Sequence, residues 1–475
     1  MMSDTAATLS RRVARHVAGT AFADLPAPAV RAAKRSLIDG LGVMFAASGL
    51  GEGTAAFADM AQAAGGPGES SLIGRPGKVA LLMGALANGA LAHAIDFEDS
   101  FDNAPVHPNA VQLPAVLALA EQKGDVSGRA LLEALAIGCD LVCRLGLALD
   151  VIPDRYGWYP PPILGAFGAV AACGKLLHLD ERQLLDAFSL LLCSHTCSAE
   201  LKYSPDSDVR AIRDAFPAQA AVQAVLLAAR GVRGFDAPFE GPAGLFSLYA
   251  RGAYTPERIT DGLGTKFHGE DVSFKPWPSC RGTHPFIEAS LELAAAHGIE
   301  PHMISSIRLT GNPVLKMLVE PREQKLRPRT AVDAKFSLPF TVGTALRHRR
   351  VDLESFSVEG RADEAVLAIG RKLSFEPSDA EDYRGLSSGR IVIELEDGRT
   401  FDAYVRHPSG HPANPLSDDA LEAKFRMCLA YAEVPPSAAA VDHLLATLWR
   451  IEDIAEVGAS LLQPDLALPM VEDAG

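Results

Sequence analysis

Seven ionisable or hydroxylic side chains crowd the stretch His93-Ala-Ile-Asp96-Phe-Glu98-Asp99-Ser100-Phe-Asp102-Asn-Ala-Pro-Val-His107-Pro108. Three chemistries fit these residue types. Histidines and carboxylates can hold a divalent metal, although HxxxH, HExxH and DxD spacings are absent from the cluster. Without a metal, His107 can carry a proton near neutral pH while Asp96 orients or protonates. The third reading is a solvated acidic loop with His93 satisfied in the core. These residues by themselves leave all three open.

Two further segments collect cations. In Lys275-Pro-Trp-Pro-Ser-Cys280-Arg281-Gly-Thr-His284-Pro, a lysine and an arginine precede an expected helix running to His297, whose N-terminus would add to an anion site. The alternative is a structural turn with exposed Lys275 and Arg281. In Lys202-Tyr-Ser-Pro-Asp-Ser-Asp-Val-Arg210-Ala-Ile-Arg213-Asp, Arg210 and Arg213 share a face if a helix starts early, a pairing suited to a carboxylate. Salt bridges to Asp206, Asp208 or Asp214 compete with that use. Cys280 beside a helix N-terminus is a conceivable nucleophile, but no Ser/His/Asp or Cys/His/Asn order accompanies it. No GxGxxG or GxxxxGK[ST] loop is present, which argues against NAD and ATP.

The elements that must position these residues are mostly helical. The uncharged run Val79 to Ile95 predicts a buried helix that carries the acidic cluster at its end. Ser127 and Asp180 read as N-caps, and Ala218 to Arg230 as a helix closed by Gly231. After Lys275 the pattern alternates in Ser306-Ile-Arg-Leu-Thr and Arg390-Ile-Val-Ile-Glu-Leu-Glu, and Asp397-Gly398 marks a hairpin into Thr400 to Arg406. Helices are expected over Ala331 to Arg347 and Asp363 to Lys372, and again from Leu416, where Ser417 is the cap. The predicted fold is therefore mainly α with an α+β lid. Residues 1–273 begin an all-helical domain, residues 274–408 form the inserted lid, and residues 409–475 return to complete the helical domain.

Composition narrows the partners. The 475 residues are 48% hydrophobic, enough for a large core, and 44 Lys+Arg against 59 Asp+Glu give a net charge of −15. That balance disfavours nucleic acid and anionic membrane, while a local cation pocket can still bind an acidic metabolite. The seven cysteines form no CxxC pair; Cys139/Cys143 and Cys193/Cys197 are four apart, and reduced thiols are expected. Neither a secretory signal nor a membrane span is expected, so a cytoplasmic location is. The tail after Pro464 shows no pattern.

In order along the chain, the motifs resemble the MmgE/PrpD family, whose members include 2-methylcitrate dehydratase, cis-aconitate decarboxylase and iminodisuccinate epimerase. The resemblance rests on Ser36-Leu-Ile-Asp-Gly-Leu-Gly42, His93-Ala-Ile-Asp-Phe-Glu-Asp99 with His107-Pro108, Leu164-Gly-Ala-Phe-Gly168 and Glu240-Gly-Pro-Ala-Gly244. It continues through Lys275 to His284, Ala334-Lys-Phe-Ser-Leu-Pro339 and Asn414-Pro-Leu-Ser417. It implies a homodimer with an active site between helical domain and lid, and a cofactor-free, metal-free reaction on a small di- or tricarboxylate. Asp96, His107 and Lys275 take the catalytic positions. Ser100, Tyr159, Arg210, Arg213, Cys280, Arg281 and His284 are the substrate-binding candidates, and His93, Glu98, Asp99 and Asp102 fall back toward structural roles.

This sequence departs from the decarboxylase pattern. Tyr159 and Cys280 stand where histidines are found, Arg210 where a lysine is, and the loop before His107 is one residue longer. A phenol of pKa about 10 is a poorer acid-base group than imidazole, and arginine cannot act as a base. The expectation is a lyase of the hydro-lyase, dehydratase type or an epimerase, with decarboxylation less favoured. The alternative is a catalytically inactive relative that binds a carboxylate.

Overall fold

The computed structural model describes residues 8–204, 206–383, 385–458 and 461–462; the tail after Pro464 lies outside them. The fold is mainly α. Its largest core cluster is built from the helices Ala27–Leu50, Gln112–Lys123, Gly128–Ala148, Pro160–Leu176 and Glu181–Ser194, together with Asp418–Ala430 and Ala438–Trp449 from near the other end of the chain. The expected caps hold: Ser127 accepts from the Ala130 N–H, and Asp180 forms a capping box with Gln183. Two short strands, β1 (Ser70–Ser71) and β2 (Lys78–Val79), pair antiparallel inside the half expected to be wholly helical.

Close helix contact explains one glycine pair. A Cβ on Gly138 or Gly168 would lie 2.7 Å from the other's carbonyl oxygen, so the helices Gly128–Ala148 and Pro160–Leu176 cross backbone to backbone there. That crossing fixes the second helix, whose N-cap position is Tyr159.

Four strands form a sheet in the order β4 (Leu373–Pro377), β3 (Ile304–Gly311), β5 (Gly389–Leu395), β6 (Thr400–Val405). The β5–β6 hairpin turns at Asp397-Gly398 as expected, with Gly398 at φ +85°. Strand β4 was not anticipated; it pairs parallel with β3, Leu309 opposite Phe375. Ile307, Leu309, Ile391 and Ile393 pack with Phe286, Ala289 and Leu293 of the helix His284–His297 in a second core. The single helix expected over Ala331 to Arg347 is broken into Ala331–Lys335 and Leu338–His348, because Ser337 caps the second piece by accepting from the Phe340 N–H.

The returning helix Asp418–Ala430 lies along Ala27–Leu50. Lys424, buried between them, donates to Asp39 Oδ1 at 2.6 Å and to the Phe97 carbonyl at 2.7 Å, so it joins both helices to the acidic stretch. Among the described residues no single helix is long and apolar enough to cross a membrane; Ala27–Leu50 and Thr54–Ala64 pass such a test only as a pair bent by 91°.

Removing one partner of a buried ion pair strands the other charge. Lys424→Met is expected to destabilise the protein by about 3 kcal/mol or more, and Asp39→Asn in the same chain to restore part of it. Urea denaturation checks this; a single variant within about 0.5 kcal/mol of the parent, the range of ordinary surface changes, contradicts the role given to Lys424.

Candidate active site

The buried helix leading to the acidic cluster is shorter than expected, Leu81–Leu91, so His93 and Asp96 are not on it. The chain turns instead, with the Asp96 N–H donating to the His93 carbonyl at 2.8 Å and Asp96 in the left-handed region at φ +50°. Such a backbone is uncommon outside glycine and is tolerated by aspartate better than by most residues. Here it is held by Lys275, whose Nζ donates to both the Asp96 carbonyl (3.0 Å) and Asp96 Oδ1 (2.6 Å). Two backbone bonds between Ser100 and Ser273 (2.9 and 2.7 Å) set the acidic stretch beside the lysine's own segment. Gly410, at φ +85°, supports that segment from the other side: a Cβ there would lie 1.7 Å from the Phe274 oxygen.

Glu98 is the centre of the polar cluster. Its Oε1 lies 2.5 Å from His93 Nδ1, 2.8 Å from His107 Nδ1 and 4.0 Å from Lys275 Nζ. Burial opposes ionisation of Glu98, but His93, Lys275 and His107 outweigh it and hold the carboxyl well below its usual range. Burial likewise pulls the Lys275 ammonium down, and Asp96 and Glu98 more than reverse it, so the lysine stays charged. Burial and the neighbouring Arg213 push His93 down to about 4, which keeps its ring neutral. Next to it, burial raises Asp99 to about 7 in spite of hydrogen bonding from Asn109.

The tautomer of His107 follows from its neighbours. Nδ1 faces two acceptors, Glu98 Oε1 and the Asp99 carbonyl, each at 2.8 Å, so Nδ1 carries the hydrogen. In the neutral ring Nε2 is then the basic nitrogen. The side chain is 18% exposed and lines the cleft, whereas His93 is fully enclosed behind it.

That cleft has a volume of about 150 Å³. Asp96, Ser100, His107, Tyr159, Arg210, Cys280 and Arg281 all line it, so seven of the ten candidate positions meet there. Arg213, His284 and Lys275 stand behind the wall. Arg213 donates from Nη1 to the Tyr159 hydroxyl at 2.9 Å, and His284 Nδ1 accepts from Arg281 Nη1 at 3.2 Å. Burial, with Arg281 and Lys275 adding to it, keeps His284 neutral by lowering it well below its ordinary value. Arg210 sits on the short helix Val209–Ile212, its guanidinium 3.4 Å above the Phe336 ring. The salt bridges that could have occupied the two arginines are largely absent among the described residues: Asp206 pairs with Arg329, and only Arg213 approaches Asp214, at 3.7 Å. Burial raises the Cys280 thiol to about 11, which makes it a poor nucleophile near neutral pH. All seven cysteines are free thiols; Cys139 and Cys143 share the helix Gly128–Ala148, but Glu181–Ser194 ends before Cys197.

Sequence reasoning passed over three features. The resemblance leaves Glu98 toward a structural role, and in the structure it accepts from both histidines. Lys202 and Asp154 pair across the cleft wall at 2.8 Å, and Val314, Leu315 and Met317 reach the wall without any local signal of it. His93, Asp96, Glu98 and His107 also offer one ligand atom each within 4.8 Å of one another. A metal bound through the Nδ1 atoms would displace the hydrogens that bind Glu98, and the Lys275 charge already lies against Asp96.

Comparison with known proteins identifies the family of the chain. The MmgE/PrpD N-terminal domain model matches residues 11–257 and the MmgE/PrpD C-terminal domain model matches residues 277–450. The chain is 26% identical to a cis-aconitate decarboxylase-like protein of Aspergillus oryzae, over 91% of this chain and 93% of the relative. It is 25% identical to a cis-aconitate decarboxylase of Aspergillus terreus (85% and 86% covered) and 27% identical to one of Mus musculus (94% and 90% covered).

The burial of His93 has a measurable consequence. Unfolded, its ring protonates at the ordinary 6.5; folded, only at about 4, so the unfolded state binds more protons between those values. The contribution is present above pH 6.5 and is lost as pH falls toward 4. In a histidine 15N NMR titration, His93 should remain unprotonated at about pH 5.5, a unit below the ordinary histidine value; a protonated ring there contradicts the enclosed, neutral role.

Proposed function

Because the chain belongs to the MmgE/PrpD family, we propose that it is a metal-independent lyase or epimerase that moves a proton at the carbon next to a carboxylate of a small di- or tricarboxylate. The observation that carries this reading is His107: its Nδ1–H is fixed by Glu98 and Asp99, which leaves Nε2 as the base at the cleft. A base placed this way can remove a proton alpha to a carboxylate or return one to the carbanion.

The neighbours supply what that step needs. Arg210 anchors a substrate carboxylate by its guanidinium and disperses the charge that develops on deprotonation. Asp96 Oδ2 has no partner among the described residues, so it is available to a substrate hydroxyl. Lys275 acts through Asp96 as its counter-ion, a positioning role, since it lies behind the wall. The Tyr159 oxygen already accepts from Arg213, which leaves the phenol hydrogen to be donated into the cleft toward a departing hydroxyl. In the same reading residues 274–408 are the lid over a helical domain made from both chain ends, the protein works in the cytoplasm as a homodimer, and it needs no cofactor.

Decarboxylation is the second reading, favoured by the names of the relatives. Tyr159, Arg210 and Cys280 weigh against it, because two histidines and a lysine of the decarboxylase pattern are replaced. An inactive carboxylate binder is the remaining alternative.

Incubation with a panel of β-hydroxy di- and tricarboxylates, followed by alkene absorbance and by deuterium uptake from D2O, tests the proposal. His107→Ala is expected to lower turnover by about 10²- to 10⁴-fold while the fold is kept. No turnover or exchange across the panel would sink the enzyme reading, and an effect on affinity alone would favour the binder.

A further inference from the structure

Among the described residues, charge pairing in the cleft wall leaves one cation, Arg210, without an acidic partner. Lys202 Nζ lies 2.8 Å from Asp154 Oδ2. Arg281 Nε is 3.2 Å from both Asp102 oxygens, and its other nitrogens reach His284 Nδ1, the Ser409 carbonyl and the Pro408 carbonyl. Lys275, beneath the wall, is taken by Asp96 at 2.6 Å. Arg210 differs: its buried Nε has no hydrogen-bond partner, and among the described residues no carboxylate forms an ion pair with it. It rests instead on the Phe336 ring.

The carboxylates of the same wall, Asp96, Asp102 and Asp154, are already paired with Lys275, Arg281 and Lys202, so among the described residues Arg210 is the lining cation left without an acidic partner. Three substrate carboxylates would meet one unpaired cation and cations already engaged by Asp96, Asp102 and Asp154. A carboxylate removed from water without a partner is among the most unfavourable groups a site can hold. Much of the remaining wall is apolar, with Phe101, Val106, Pro161, Leu315, Met317 and Phe336 around the cavity. A few placed polar groups in an otherwise hydrophobic pocket select an amphipathic ligand.

We propose that the substrate is a dicarboxylate bearing an apolar arm, not a tricarboxylate: one carboxylate lies on Arg210, the carbon that exchanges its proton faces His107, and the arm packs against the wall formed by Phe101, Val106, Leu315 and Met317. The second carboxylate lies toward the Ser100 hydroxyl at the cleft lining. This inference rests on the reading of the cleft as the reaction site, and it names the substrate class within that reading.

Three compounds that differ only at one carbon test it: succinate, 2-butylsuccinate and propane-1,2,3-tricarboxylate, which carry hydrogen, butyl and carboxymethyl there. Isothermal titration calorimetry on the full-length protein should find 2-butylsuccinate at least about tenfold tighter than succinate, as burial of several methylenes requires. The tricarboxylate should bind no tighter than succinate. Arg210→Met should weaken 2-butylsuccinate by about tenfold or more, and Met317→Lys, which adds a cation to the apolar wall, should shift preference toward the tricarboxylate. A tricarboxylate that binds tightest, a butyl arm that adds nothing, or no binding of any of the three at millimolar concentration overturns the proposal. The binding order is read without turnover, so an intact order with no deuterium exchange would defeat the proposed chemistry and leave the ligand class standing.

Discussion

A lysine ammonium with no exposed surface has to be neutralised where it lies, and in this protein that requirement organises the site. Lys275 meets it by donating to both the carbonyl and the carboxylate of Asp96, and by standing 4.0 Å from Glu98. Both bonds reach one residue, Asp96, which is in the left-handed region a few residues beyond the end of the buried helix at Leu91. Glu98, kept ionised partly by the same lysine, then has two imidazole hydrogens to accept. The orientation of His107, and with it the nitrogen presented to substrate, traces back to a charge that never touches the cleft. Lys424 repeats the arrangement one layer deeper, where its bonds to Asp39 and the Phe97 carbonyl fix the other end of the acidic stretch.

The cleft above this layer divides its work by polarity. The floor supplies a base, an unpaired carboxylate oxygen and a phenol held by a buried guanidinium. Among the described residues, the walls supply one cation without an acidic partner, Arg210, and a large apolar surface. Such a division favours chemistry in which a carboxylate is held at one point and charge grows on the adjacent carbon. In the proposed reaction, substrate selection lies in the wall, apart from the proton-transfer groups in the floor.

How much of this was legible depends on how local each cause is. Ser127, Asp180 and the Asp397-Gly398 hairpin were readable because caps and tight turns are written in adjacent residues. The returning helix after Ser417 was readable for the same reason. The turn at Asp96 was not, since the lysine that holds it is 179 residues away at Lys275. Strand β4 was missed because its pairing with β3 is parallel and distant, and the break at Phe336-Ser337 because alanine and leucine continue on both sides. Of the candidate residues, those reaching the cleft came from segments whose residue types were unusual for their surroundings. Glu98 looked like one acid among several, and the apolar lining from Val314 to Met317 looked like ordinary core.

The most direct test of the account is a crystal structure of the protein with 2-butylsuccinate bound. A carboxylate on the Arg210 guanidinium, the substituted carbon within about 3.5 Å of His107 Nε2, the reach a positioned base needs, and Lys275 still on Asp96 are the expected result. A ligand seated away from Arg210 and His107, or a metal ion held by His93, Asp96, Glu98 and His107 in place of the hydrogen bonds to Glu98, would contradict it.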